Sequence, residues 1–319
     1  MPKLKLAFYW AASCGGCEIS VLEIGEKILT VAEIADIVFW PAALDFKYAD
    51  VEKMPDKTID VCFFNGGIRT SEHRHIAELL RAKSKLLVAF GSCAMEGCIP
   101  GLANLHKREE IFNRVYHETP TTDNPGGIIP KTKVEAPEGT LELPEFLGRL
   151  STLGQTVDVD YSIPGCPPVG DQVWAAIEAI VSGNLPPKGS VIGARDKTLC
   201  DECERKREGK KIKKIYRNYE IIPDREKCLL EQGILCMGPA TRGGCGGALC
   251  VKANMPCRGC YGPPPGVRDQ GAKMLSALAS ILEAESSDEM KEAVDKVVDP
   301  VGTFYMFGFA NSLLKEAKK

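Results

Sequence analysis

No apolar run in this 319-residue sequence approaches the roughly 20 residues that cross a bilayer, which excludes a spanning helix and makes a membrane partner unexpected. Charge of one sign is equally scarce. A formal net charge of -3 leaves no basic field of the kind nucleic-acid binding needs, so nucleic acid is excluded as an expected partner. There are only four histidines, His73, His75, His106 and His117, and their spacing matches no ligand pattern; each is expected at the surface. The opening MPKLKLAFYWAASCGGC has neither a secretory cleavage pattern nor a twin-arginine signal, and the expected location is the cytoplasm. Composition is otherwise that of a soluble globular protein, 44% hydrophobic and 26% charged, long enough for two domains.

Cysteine is what the chain has in quantity. Fourteen cysteines in a reducing compartment point to metal or catalysis rather than structural bridges. Twelve fall into three sets of four, the stoichiometry of a 4Fe-4S cluster.

The first half alternates strand and helix. Apolar runs at Leu4 to Trp10, Ile37 to Trp40, Val61 to Phe64, Leu86 to Phe90 and Val157 to Tyr161 have the character of buried strands. Helical spacing follows at Ile19 to Ile28, Ser71 to Ala82 and Val169 to Ile180. This alternation predicts an α/β fold with a doubly wound, mostly parallel sheet. Five prolines between Thr119 and Glu145 mark a long surface excursion that interrupts the domain. The rhythm stops at Ser182 to Gly189. From Cys200 to Cys260 eight cysteines lie among Gly, Pro, Lys and Arg with no apolar core of their own in view, a segment that metal ligation can organise. Amphipathic helices are expected over Gly271 to Glu285 and Asp288 to Val298, and the apolar Phe304 to Leu314 as a helix packed on its own domain or on a partner. Domains are expected at 1–185 and 186–319.

Cys14-Gly15-Gly16-Cys17 follows the first strand and precedes a helix, a position that would also suit a thioredoxin-like dithiol. Cys93 in Gly91-Ser92-Cys93-Ala94 and Cys166 in Pro164-Gly165-Cys166-Pro167 also follow strands. Carboxyl ends of parallel strands converge on one crevice, so these four thiols are expected to meet there rather than to be scattered core cysteines. The second set is Cys200, Cys203, Cys228 and Cys236; the third is Cys245, Cys250, Cys257 and Cys260. Zinc is the rival ligand, since paired C-x-x-C knuckles are its structural signature. The third set has a single knuckle and resembles a ferredoxin site more closely. Spacing alone permits exchange between neighbours such as Cys236 and Cys245. Cys62 is read as core and Cys98 as a small buried packing residue. Asn65-Gly66-Gly67 is read as a turn, Glu204 to Lys214 as a solvated basic loop or an acceptor-docking patch, and Glu18 as a solvated or helix N-terminal carboxylate or an aid to proton exit.

Cys14-x-x-Cys17-Glu18, Gly91-Ser92-Cys93-Ala94, Pro164-Gly165-Cys166-Pro167-Pro168 and the eight-cysteine tail together resemble the small subunit of NiFe hydrogenases over nearly the whole chain. The first three motifs are also similar to the cluster-bearing subunit of respiratory complex I, which lacks the tail. The resemblance implies a flavodoxin-like domain followed by a smaller irregular domain organised around two clusters. It further implies that Cys14, Cys17, Cys93 and Cys166 hold a proximal 4Fe-4S cluster, Cys245, Cys250, Cys257 and Cys260 a medial one, and Cys200, Cys203, Cys228 and Cys236 a distal one. In membrane-linked relatives a histidine commonly stands where Cys200 is and a proline where Cys250 is. Cysteine at both suits low-potential acceptors such as ferredoxin, flavin or deazaflavin systems. The NiFe centre itself would lie in a partner large subunit. General likeness points to the cytoplasmic methanogen branch that reduces viologen but not deazaflavin, with an iron-sulfur or flavin acceptor subunit linked to heterodisulfide reductase.

Overall fold

The computed structural model describes residues 3–314. Five strands form one all-parallel sheet: β1 (Leu4–Trp10), β2 (Ala35–Phe39), β3 (Ile59–Asn65), β4 (Ser84–Phe90) and β5 (Tyr161–Ile163), in the order β2-β1-β3-β4-β5. Register runs Leu6 to Val61 and Phe8 to Phe63 between β1 and β3, then Val61 to Leu86 and Phe63 to Val88 between β3 and β4. Successive side chains leave opposite faces of a strand, so the sheet feeds two cores. Leu6, Phe8, Phe63, Val88 and Phe90 pack on one face with Val21 of helix α1 (Gly16–Leu22) and Ile177 of a later helix, Gly170–Val181. Ala7, Tyr9, Cys62, Phe64 and Leu87 pack on the other with Ile76 and Leu80 of α2 (Ser71–Lys83). Cys62 is fully buried, as its place in a strand predicts.

Three elements differ from expectation. The helix predicted over Ile19 to Ile28 is two helices, Gly16–Leu22 and Lys27–Ile34, parted by a turn in which Gly25 takes φ +65°. The last strand is Tyr161–Ile163, not Val157 to Tyr161. The peptide unit of Asp160 and its side chain both bond Leu87, the carboxylate accepting that residue's N–H at 2.8 Å. Val157 and Val159 instead pack on the second core. Arg81 and Lys188 close on the same carboxylate at 2.6 and 2.7 Å, so burial, which would raise the acid, is outweighed and its pKa is lowered. The excursion leaves the sheet as expected but carries an exposed hairpin, Lys133–Ala136 with Gly139–Glu142. It returns through Phe146–Ser151, antiparallel to Ile68–Thr70.

The later part of the chain does have an apolar core. Leu199, Ile212, Ile215, Leu229, Ile234, Met237 and Val251 pack with Met274 and Leu278 of the helix Gln270–Ile281, and with Phe304, Tyr305 and Phe309. The second amphipathic helix is Ser287–Asp295. Phe304 to Leu314 is not one helix. It is the end of Pro300–Phe304, then turns, with Phe307 buried against Cys93 and Cys98. Asn311 there donates to the buried Glu96 at 2.9 Å.

Candidate functional site

The carboxyl ends of β1, β3, β4 and β5 open at one edge, and Cys14, Cys17, Cys93 and Cys166 follow them as expected. Ala12 and Gly67 exchange backbone hydrogen bonds at 3.0 Å, so Asn65-Gly66-Gly67 is a turn locked to the loop that carries Cys14. Cys93 lies in the first turn of a short helix, α3 (Ser92–Glu96), entered through Gly91 at φ +83°. A Cβ on Gly91 would stand 2.2 Å from Cys17 Sγ, so only glycine lets these two segments meet. Ser92 Oγ donates to the Gly165 carbonyl at 2.9 Å, tying the Cys93 segment to the Cys166 segment, and also bonds the carbonyl of Cys260. Burial raises the Cys17 thiol, with Cys166 and Cys14 close enough to add to the effect. Cys17 and Cys93 are buried, while Cys14 and Cys166 are exposed.

Glu18 lies in the first turn of α1 but is not solvated. It is 6% exposed and accepts hydrogen bonds from Trp40 Nε1 and, at 3.4 Å, from Asn65 Nδ2. Burial raises its pKa, opposed by those two donors.

The second set is drawn together as well. Cys200, Cys203, Cys228 and Cys236 line one cavity of about 490 Å³, with Leu230, Ala277 and Ile281 on its walls and Arg207 and Lys273 among its lining. That volume far exceeds the roughly 30 Å³ share of a water molecule. The space suits a group of several atoms with four soft ligands. Burial, reinforced by neighbouring thiols, pushes Cys236 up to about 11 and Cys200 up to about 12. In the third set, Cys260 is pushed up to about 12 by burial and then by Cys250, and Cys245 also acts on it; Cys257 in turn feels Cys260. Thiols held neutral in this way must lose protons when a metal group binds. Among the described residues, no three or more His, Cys, Asp or Glu side chains close up as a single-ion site.

The three sets follow one another through the fold, and Ser92, beside Cys93, already bonds the carbonyl of Cys260. Cys260 lies within electrostatic reach of Cys166 in the first set. The backbone N–H of Cys257 donates to Cys236 Sγ in the second set at 3.3 Å. The third set therefore sits between the other two.

Several contributors were not legible beforehand. Arg205, inside the basic run, is not solvated: it is 8% exposed and donates to the carbonyls of Asp224, Lys227 and Val251 and to Asn254 Oδ1, at 2.6–3.1 Å. Lys206, Lys210 and Lys213 pair with Glu226, Glu208 and Glu285. His75, His106 and His117 are exposed; His73 is half-buried, and burial lowers its pKa. Cys98 is buried as predicted, but its sulfur stands 3.7 Å from Cys166 Sγ.

Residues 14–180 match the family described as NADH ubiquinone oxidoreductase, 20 Kd subunit, a range that includes Cys14, Cys17, Cys93 and Cys166 and stops before Cys200. The chain is 47% identical to the iron-sulfur subunit of an F420-non-reducing hydrogenase from Archaeoglobus profundus, over 89% of each chain. It is 38% identical to a subunit of the F420-non-reducing hydrogenase of Methanothermobacter thermautotrophicus, over 98% of this chain and 96% of that one. Among solved structures, a chain of an NAD+-reducing NiFe-hydrogenase in the H2-reduced state superposes with TM-score 0.50 at 28% identity, covering 58% of this chain and 94% of that chain. With the parallel sheet and its crevice of thiols, these similarities place the chain in the 20 Kd-subunit family as a hydrogenase small subunit, part of an oxidoreductase that acts on H2.

Proposed function

We propose that this subunit carries electrons released from H2 through three 4Fe-4S clusters. Cys14, Cys17, Cys93 and Cys166 would hold the proximal cluster, Cys245, Cys250, Cys257 and Cys260 the medial one, and Cys200, Cys203, Cys228 and Cys236 the distal one. The observation that carries this reading is the unbroken order of the three sets, from the Cys93 segment through Ser92 to the Cys260 carbonyl and from the Cys257 N–H to Cys236 Sγ. The bound clusters supply one-electron chemistry; the chain supplies thiolate ligands, N–H donors and walls that exclude water. The thiol-lined cavity supports the distal assignment and has room that a single zinc ion does not need.

Hydrogenase small subunits pair with a large subunit, and the proposed docking face lies around the exposed Cys14 and Cys166. Trp10, Ile19 and Leu22 are large apolar side chains exposed near Cys14 in sequence, as a stable interface would use. The large subunit would hold the NiFe centre. At the other end, all-thiolate ligation suits a low-potential iron-sulfur or flavin acceptor subunit, of the kind linked to heterodisulfide reductase. Unpaired cysteines throughout the described chain favour the cytoplasm as the place of work. No described helix is long and apolar enough to cross a membrane. The reading includes two domains, 1–185 and 186–319, supported by a sheet that ends at β5 and a separate apolar core beyond Leu199.

Metal and acid-labile sulfide analysis of the anaerobically purified native complex tests the proposal. About 12 iron and 12 sulfide per chain, with a nickel-bearing partner, is the expected result. One or two zinc with little iron would leave a structural metalloprotein and overturn it. Loss of iron on replacing Cys14 or Cys17 would also end a dithiol-exchange reading of that pair.

A further inference from the structure

Cys98 belongs to none of the three sets of four, yet the fold delivers it to the first of them. After α3 the chain turns at Gly97, and Cys98 follows at φ +49°, ψ -154°. A non-glycine residue in such a conformation is strained and persists only where its surroundings hold it. The hold here comes from the far end of the sequence: the Cys98 backbone N–H donates to the Phe307 carbonyl at 3.0 Å. The result is a buried side chain, 1% exposed, packed with Cys93, Phe307, Met306 and Cys260, with its sulfur 3.7 Å from Cys166 Sγ. Packing alone would not require a polar atom aimed at a sulfur of the neighbouring site.

We propose that Cys98 is a positioning residue of the proximal site, a thiol that donates an S–H hydrogen bond to Cys166 Sγ and so sets the reduction potential there. This rests on the reading that Cys14, Cys17, Cys93 and Cys166 hold a cluster. Four thiolates complete a cube, so Cys98 keeps its proton while Cys166 loses its own on ligation. A donor aimed at a thiolate makes a charge-assisted bond, drawing negative charge off that ligand and favouring the reduced cluster. Because Phe307 holds the backbone of Cys98, the C-terminal segment fixes the donor's place.

The test uses Cys98→Ala and Cys98→Ser in the complete complex, with iron counted and the proximal cluster titrated by potentiometric electron paramagnetic resonance. Both variants should retain the wild-type iron. In Cys98→Ala the midpoint should move to a more negative potential, changing the reduced-to-oxidised ratio at the wild-type midpoint by up to about tenfold, or about 59 mV for a one-electron couple. Cys98→Ser, whose O–H still donates, should recover most of that shift. Full iron with an unmoved midpoint in both variants would reduce Cys98 to packing. Iron lost from the proximal site in both would make it a ligand, which also overturns the inference. An iron-free proximal site in the unaltered protein would instead remove the cluster reading on which the inference stands.

Discussion

In the first set only Cys17 joins a core of the sheet, beside Leu6, Phe8 and Val21, and Cys14 and Cys166 are exposed, whereas Cys203, Cys228, Cys236, Cys245 and Cys257 all pack with the later core of Leu229, Met237 and Met274. In the first region, backbone pairing and apolar burial on both sheet faces define the crevice before any metal enters. In the second, Cys200 to Cys260 is connected mainly by short helical turns and loops, and its thiols are held neutral by burial. The difference teaches that the same ligand chemistry has two relations to folding. A cluster bound as proposed would fill a finished site in the first region and would supply folding free energy in the second.

Stripping the metal is the strongest way to break this comparison. Chelator and oxidant treatment should open residues 199–260 to amide exchange and proteolysis, while β1, β3 and β4 stay protected; hydrogen-exchange mass spectrometry reads both. Equal loss in the two regions would contradict the distinction. A core truncation sharpens it from the other side. Leu80→Ala, at a fully buried site under the sheet, should cost about 2–5 kcal/mol in denaturant unfolding and leave iron at the second and third sets bound.

Arg205→Ala should cost about 3 kcal/mol, because it strips the cation that joins Asp224, Lys227, Val251 and Asn254. The loss should appear as faster exchange around 224–254, with the sheet unchanged. The smallest effect is a pH dependence. Burial raises Glu96 to about 7, opposed by the Asn311 hydrogen bond and Arg242. Its folded pKa lies above the unfolded carboxyl value of about 4.3, so its contribution is full below that pH and is lost as pH rises towards 7. Glu96→Gln should flatten stability between about pH 4.5 and 7, measured as unfolding midpoint against pH.

Legibility followed the same divide. β1, β3 and β4 were readable because strands covered on both faces need continuous apolar runs, as in Val61 to Phe64. β5 was not, because Val157 and Val159 are apolar for the sake of a neighbouring core while Asp160 makes the pairing contacts. The later core escaped notice because Leu199, Ile212, Leu229, Ile234 and Met237 follow no helical or strand period; they converge through turns. Cys14, Cys17, Cys93 and Cys166 were visible as a set because strand ends in a parallel sheet must converge. Cys98 was not, since its role depends on a backbone turn and on Phe307, more than 200 residues away. Arg205 looked like part of a charge run, and only its carbonyl partners reveal a structural role.

Mössbauer spectroscopy of the iron-57-enriched, anaerobically isolated complex, before and after exposure to H2, tests the central claim most directly. Three 4Fe-4S clusters in this chain are expected, all reducible by H2, with loss of one four-iron set when Cys203 or Cys245 is replaced by serine. Iron confined to the Cys14, Cys17, Cys93 and Cys166 site, with the later cysteines bound to zinc or to nothing, would contradict it.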